Sequence, residues 1–336
     1  MFYKYVRSKQ RNAVTVKSVK DKDGILSQTD EEAADILCKQ FQQVFVDHGF
    51  VDLMKLVPPC SPLSEELSTD ELVTEDVVYR KLSMLNVSKS PGPDSVHPHF
   101  LKNCADLLTL PLTCIFRKSF DNGCLPDDWK SANIVPLYKK RSKLDPGNYR
   151  PVSLTCVPCK IMESVIRDYM AEKLMKSGFL STYQHGFIKG KSCATNLLTA
   201  FETWTKWIDE GYGVDIVYLD YKKAFDSVNH VKLMEKLRHA GIDPTVIKWI
   251  SAFLQGRQMR VKVRLEFSDW VLVLSGVPQG SVLGPLLFLI FVNDLPLWIC
   301  MLYSTVCCYC LLMIRNCAVE FLVRTMKFYY NRIWIN

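Results

Sequence analysis

The sequence lacks an apolar leader. Residues 1–12, MFYKYVRSKQRN, are basic and carry no hydrophobic run, so no secretory signal peptide is expected. It also lacks internal repeats and low-complexity blocks, which excludes solenoid and collagen-like architectures. No strong charge of one sign is present: 42 Lys and Arg against 35 Asp and Glu leave a net charge of +7. A surplus of that size suits a polyanion binder without requiring one. Hydrophobic residues make up 48% and charged residues 23%, which excludes a chain that is disordered or coiled-coil throughout. What is present is 336 residues, enough for about two domains or one large one. The 13 cysteines, with no secretory signal, read as reduced intracellular thiols.

The last 40 residues differ from the rest. They hold Cys300, Cys307, Cys308, Cys310 and Cys317, and Leu295 to Ile314 is a run of 20 residues without a charge. Such a run is long enough to span a bilayer. After Asp294 the only acidic residue is Glu320.

The pattern predicts mixed α and β structure, α+β in class. Helical spacing after an acidic start predicts a helix over 30–46. A Pro- and Ser-rich loop follows at 57–64, then a helix over 74–87 opened by Thr74 with Glu75 and Asp76 in its first turn. Prolines exclude helix from 88–98, and helices are expected over 99–121, 157–177, 192–210, 229–240 and 244–255. SANIVPLY (131–138) reads as a strand, VDIVYLD (214–220) as a buried central strand, and 259–274 as a hairpin.

The chemistry-bearing residues begin with Asp220, at the end of the apolar strand, and Asp226 six residues on. A carboxylate at a buried strand end needs a cation or a donor, and hard oxygen ligands suit Mg²⁺. Its plainer role is to cap the following turn. Lys139 and Lys140, with Arg150 in NYRPVSL, gather positive charge, since Arg offers a bidentate fork for phosphate and Lys a mobile point charge. For Lys140, Arg141 and Lys143 taken singly, a solvated basic turn is the simpler account. GVPQGSVLGP lets backbone approach a ligand, with the Gln279 amide between its glycines. Cys156-Val-Pro-Cys159 has zinc-type spacing but no second pair, and reads as two core thiols. His97, His99 and His185 have no ligand spacing and read as structural; most of the Trp and Tyr residues read as core.

In order along the chain, SKSPGPD (88–94), IVPLYKK (134–140), NYRPVSL (148–154), QHGFIKGKS (184–192), LDYKKAFDSV (219–228) and GVPQGSVLGPLLFLIFVNDLP (276–296) resemble the reverse transcriptase of non-LTR, LINE-type retrotransposons. The resemblance covers about residues 85–296. It implies a right-hand palm-and-fingers fold divided as a leader over 1–60, fingers and N-terminal palm over 61–210, palm over 211–296 and an aberrant tail over 297–336. It implies an RNA-directed DNA polymerase using Mg²⁺, with template RNA, a DNA primer and deoxynucleoside triphosphates as partners, moving between cytoplasm and nucleus. Asp220 matches the first catalytic, metal-binding aspartate and Phe225 the steric gate against a ribose 2′-hydroxyl. Lys139 (or its neighbour Lys140) and Arg150 match the triphosphate-holding residues, and Gln279 and Gly280 the loop that meets the incoming nucleotide. Ser90, Pro91 and Gly92 match a template-contacting extension, and Asp226 reads as structural.

The sequence departs from the family where an F/Y-A-D-D motif should follow N-D-L-P; it has Cys310-Leu311-Leu312-Met313-Ile314 instead. A permitted set of codons for those five residues encodes Phe-Ala-Asp-Asp in the shifted frame, so a frame slip between Pro296 and Tyr309 is expected. On that reading the chain is inactive, the thumb is missing, and the sheet carrying Asp220 loses its hairpin strands and has unpaired edges. It also removes any membrane partner, the rival being a transmembrane anchor flanked by Arg315 and Arg324. The alternative to an enzyme is an RNA-binding remnant or a pseudogene fragment.

Overall fold

A computed structural model describes residues 16, 18–46, 67–182, 184–212, 217–295, 306–315 and 318–326; for 217–222 and the last two segments the description is of the backbone. The loop over 57–64, the first residues of the 214–220 strand and the remainder of the tail lie outside the described residues.

Helix α1 (Asp30–Gln42) starts where Thr29 accepts the Glu32 N–H, and ends four residues short of the expected 46. It buries Ala33, Ala34, Leu37, Cys38 and Phe41 against Ala132, Ile134, Tyr149, Met259, Val261 and Val263. At about 1.5–3 kcal/mol per fully buried large apolar side chain, this small core holds the leader helix to the sheet. Helices α2 (Thr69–Leu72) and α3 (Glu75–Ser83) follow, with Thr74 capping α3 as expected. The helix expected over 99–121 is two, α4 (Pro98–Asn103) and α5 (Ala105–Asn122), because Cys104 leaves helical geometry at φ −103° and ψ 22°. Then come α6 (Asp127–Lys130), α7 (Val157–Lys176), α8 (Cys193–Asp209), α9 (His230–His239), α10 (Pro244–Leu254) and α11 (Gly284–Val292). Helix α11 is the apolar LLFLIFV run. The main core joins α5, α7, α9, α10 and α11 around Phe116, Met162, Ile166, Trp249, Phe253 and Phe288, all at most 1% exposed.

One sheet combines β1 (Ser131–Tyr138), β2 (Tyr149–Leu154), β4 (Gln258–Val263), β5 (Glu266–Phe267) and β6 (Val271–Leu272). Strand β1 runs antiparallel to β2 and parallel to β4, and β4 pairs antiparallel with β5 and β6, as the expected hairpin requires. NYRPVSL, not expected to be a strand, forms β2. Its Pro151 is the register partner of Pro136, which confines both missing N–H groups to one rung.

The second sheet has the order β3 (Val217–Lys222), β8 (Ala318–Met326), β7 (Val306–Arg315). Here the expectation that the hairpin strands are lost fails: β8 pairs antiparallel with β3, and β7 with β8, while β3 and β7 stay at the sheet's two edges among the described residues. The segments are rich in Val, Tyr, Phe, Ile and Cys, which suit a pleated surface whatever reading frame supplied them. Asp220 and Glu320 are register partners in this sheet.

Candidate functional site

Three segments distant in sequence meet at one cavity. At the end of β1 the Lys139 N–H donates to the Asn148 carbonyl at 2.9 Å, closing the turn that leads to Arg150 on β2. After β3 the chain turns at Lys223, whose φ is +54°, and the Lys223 carbonyl accepts the Asp226 N–H at 2.9 Å. The G-V-P-Q-G loop then docks on this turn, with Gly276 N–H to the Val228 carbonyl at 2.9 Å and Val277 N–H to the Phe225 carbonyl at 2.8 Å. Gly276 permits the approach: at φ +88°, a Cβ there would stand 2.7 Å from the Asp226 backbone. Gly280, at φ +114°, lies against the Ser153 carbonyl, where a Cβ would come within 2.5 Å. The Ser153 N–H donates to the Gln279 carbonyl at 2.9 Å, so the loop is stitched to β2 as well.

The cavity so formed is about 290 Å³ and presents Lys139, Arg150, Lys223, Asp226 and Gln279 beside an apolar wall that includes Phe41, Ile134, Met259 and Val277. A second cavity, about 210 Å³, is lined by Leu137, Arg150, Phe225, Gln279, Gly280 and Pro285 among others. Arg150 and Gln279 border both. Gln279 Nε2 donates to both carboxylate oxygens of Asp226, at 2.7 and 2.9 Å. Burial pushes the Asp226 carboxyl up to about 6, against the pull of that hydrogen bond and of Lys223, Lys139 and Arg150. The Lys223 ammonium is pulled down, first by burial and then by Lys139, while Asp226 raises it. Three cations thus face one carboxylate, an imbalance that a polyanion corrects.

Lys139, Arg150, Phe225, Gln279 and Gly280 are therefore brought together. Phe225 is 7% exposed and stacks on Phe288 with centroids 4.3 Å apart, so its ring is fixed. Lys140 is exposed and borders neither cavity. In the S-P-G-P-D segment Ser90 is exposed and Pro91 half-buried, while Gly92 is buried where a Cβ would meet the Cys156 nitrogen at 2.5 Å. Gly92 is thus a packing residue, and Ser90 and Pro91 remain to meet a ligand. Asp226, expected to be structural, holds Gln279.

Cys156 and Cys159 are buried, Cys156 with its thiol pushed up to about 12 by burial and the nearby Asp94. His97 caps α4, and His185 pairs with the Thr195 hydroxyl at 2.9 Å. Trp129, Trp204 and Trp249 are buried, and Trp270 is exposed beside Arg260. Lys223 escaped the sequence reading although K-K precedes A-F-D. So did Ser275, whose hydroxyl donates to the Asp226 carbonyl at 2.7 Å and accepts the Val46 N–H at 3.0 Å. Among the described residues no group of three or more His, Cys, Asp or Glu gathers to hold a metal. No helix among them is long and apolar enough to cross a membrane.

Comparison with known proteins decides what this arrangement belongs to. The profile of the reverse transcriptase (RNA-dependent DNA polymerase) family matches residues 138–310, about half of the chain. The chain belongs to the reverse transcriptase family. It is 27% identical over 299 residues to "Probable RNA-directed DNA polymerase from transposon BS" of Drosophila melanogaster, covering 88% of this chain and 33% of that protein. It is 28% identical over 291 residues to the RNA-directed DNA polymerase from mobile element jockey of the same fly, covering 83% and 31%. A third relative is the Pol polyprotein from type-1 retrotransposable element R1 of Bradysia coprophila, 28% identical over 291 residues, covering 85% and 27%. The chain thus spans about a third of the length of these relatives. This places the reverse transcriptase among those of non-LTR retrotransposons. The family match opens at Tyr138, one residue before Lys139, takes in Lys139, Arg150, Lys223, Asp226 and Gln279, and runs beyond Pro296 to Cys310.

Proposed function

We propose that the chain is the nucleotide- and template-holding region of a LINE-type RNA-directed DNA polymerase, and that it binds its substrates without extending a primer. The observation that carries this is the convergence of Lys139, Arg150 and Lys223 with the Asp226–Gln279 pair at one cavity. The cations would take the triphosphate of a deoxynucleotide. Gln279, fixed by Asp226 and Ser153, would offer its amide where the sugar and base arrive. Phe225, locked against Phe288, would close the second cavity to a 2′-hydroxyl. Template RNA would pass Ser90 and Pro91, and the DNA primer would approach β3. On this reading β1, β2 and β4 belong to the fingers, and β3, β8 and β7 to the palm.

The family is metal-dependent, and Mg²⁺ would supply charge stabilisation at the transferring phosphate. Asp220 is the residue that would hold it. Among the described residues no group of three or more His, Cys, Asp or Glu stands ready to join it. The F/Y-A-D-D motif is missing, and the family match ends at Cys310, where the shifted frame would supply it.

The test is primer extension on poly-rA with oligo-dT and Mg²⁺, beside Asp220→Ala, together with binding of a fluorescent deoxynucleotide. Nucleotide binding without extension supports the reading. Extension abolished by Asp220→Ala overturns the inactivity and points to Glu320, its register partner, as the second carboxylate. Salt-sensitive RNA binding with no nucleotide binding favours a remnant that holds RNA through phosphate contacts alone.

A further inference from the structure

We propose that Glu163 is the positioning residue of the G-V-P-Q-G loop, a buried carboxylate on α7 that sets where Gln279 and Gly280 stand by holding the backbone of Val282 and Leu283. Glu163 is fully buried, and its Oε2 accepts the Val282 N–H at 2.7 Å and the Leu283 N–H at 2.9 Å. Those N–H groups open α11, where the first turn has no intrahelical partners and the helix dipole favours an anion. Its other oxygen, Oε1, takes the Cys159 thiol at 3.7 Å. Burial holds that thiol well above its ordinary value, so it stays protonated and able to donate. Both oxygens are thereby engaged and the rotamer is fixed.

The charge itself is managed locally. Burial raises the Glu163 carboxyl, and the Leu283 N–H, Arg257, the Val282 N–H and Lys160 pull it back down. Arg257 is 3% exposed, and its Nη1 donates to the Phe253 carbonyl at 3.1 Å and the Trp129 carbonyl at 3.3 Å. Its Nη2 has no hydrogen-bond partner among the described residues, and attraction to Cys159, Glu163 and Cys156 works against its burial.

The anchor reaches Gln279 because the intervening turn is closed on itself. Ser281 donates both its N–H, at 3.2 Å, and its hydroxyl, at 3.0 Å, to the Pro278 carbonyl, and its hydroxyl accepts the Gly284 N–H at 2.9 Å. A displacement at Val282 and Leu283 is therefore passed to Gly280, which borders the second cavity, and to Gln279, which borders both. The claim rests on those cavities taking a nucleotide, and its test separates the two.

Two variants divide charge from reach. Glu163→Asp keeps the charge for Arg257 but withdraws the carboxylate by about 1.5 Å, beyond the two N–H groups. Glu163→Gln keeps an acceptor oxygen in place but leaves Arg257 without a counter-charge. A positioning role predicts a crossed pattern. Glu163→Asp weakens binding of a fluorescent deoxynucleotide about tenfold and speeds hydrogen exchange of the Val282 and Leu283 amides, while melting no lower than Glu163→Gln. Glu163→Gln melts lower yet binds the nucleotide within about threefold of wild type. Nucleotide affinity unchanged in Glu163→Asp, or affinity that falls in both variants in step with melting temperature, overturns the proposal. A wild-type chain that binds no nucleotide overturns the function reading instead. Amide exchange then still decides the anchor, since equal protection in wild type and Glu163→Asp removes it.

Discussion

Asp226 is half-buried beside three cations and its carboxyl is still pushed up, which gives a stability effect of definite sign. Burial lifts its carboxyl from the ordinary 3.8 to about 6, despite the Gln279 amide and Lys223, Lys139 and Arg150. Between those values the folded chain keeps a proton that the unfolded chain releases. The contribution to stability is fully present below the unfolded value and is lost as pH rises through the folded one. A gap of about two pH units at about 1.4 kcal/mol each makes that loss roughly 3 kcal/mol. Asp226→Asn does not titrate, so it removes the loss while keeping one acceptor oxygen for Gln279 Nε2.

The assay is urea unfolding of wild type and Asp226→Asn from about pH 4 to about pH 7, with the two free energies subtracted at each pH so that other carboxylates cancel. The difference should move toward the variant by roughly 3 kcal/mol across that range, most of it below about pH 6. Parallel curves would refute the reasoning, because they would mean that Asp226 titrates alike in the folded and unfolded chains. A difference that moves toward wild type would show that the cations outweigh burial.

Gly280→Ala should cost on the order of 2–4 kcal/mol, since a side chain at φ +114° is strained and its Cβ would stand 2.5 Å from the Ser153 carbonyl; an unchanged melting temperature counts against the docked loop. Lys139→Ala should weaken deoxynucleotide binding about tenfold and Lys140→Ala less than about twofold, and the reverse pattern in a titration would transfer the role to the neighbouring lysine. Arg150→Lys keeps the charge but loses the planar fork, so it should also weaken that binding about tenfold; equal affinity would leave Arg150 with a structural role only. If any Mg²⁺-dependent extension is detected, Glu320→Gln should abolish it as Asp220→Ala does, and activity that survives in Glu320→Gln excludes this pairing as the metal site.

Local signals carried far into the fold and non-local ones did not. The bounds of β1 were legible because SANIVPLY lies between a charged helix end and a basic turn, and Thr74 announced α3 by its chemistry alone. NYRPVSL hid its strand because proline argues against one. Only the pairing of Pro151 with Pro136, in another segment, resolves the conflict. Lys139, Arg150, Phe225, Gln279 and Gly280 were legible as motif residues, yet nothing in sequence order states that Gln279 grips Asp226 across 53 positions or that Glu163 reaches Leu283 across 120. Both contacts are made by buried or half-buried polar groups that need partners. Sequence shows that need only as a polar residue in an apolar stretch, without naming who answers it.

The tail shows the opposite failure. Its uncharged, cysteine-rich composition marked it as foreign, and the conclusion drawn was that β3 would be left without neighbours. Strand pairing asks less of a sequence than catalysis does. Val, Ile, Tyr and Phe in two runs separated by a short turn suffice to satisfy an exposed edge, because the bonds run through the backbone. A segment of this composition can therefore complete a sheet. What it does not supply by composition is carboxylates at a chosen rung. The tail brings one, Glu320, to the rung of Asp220. Whether the sheet forms and whether its rungs carry carboxylates are therefore separate questions for this tail.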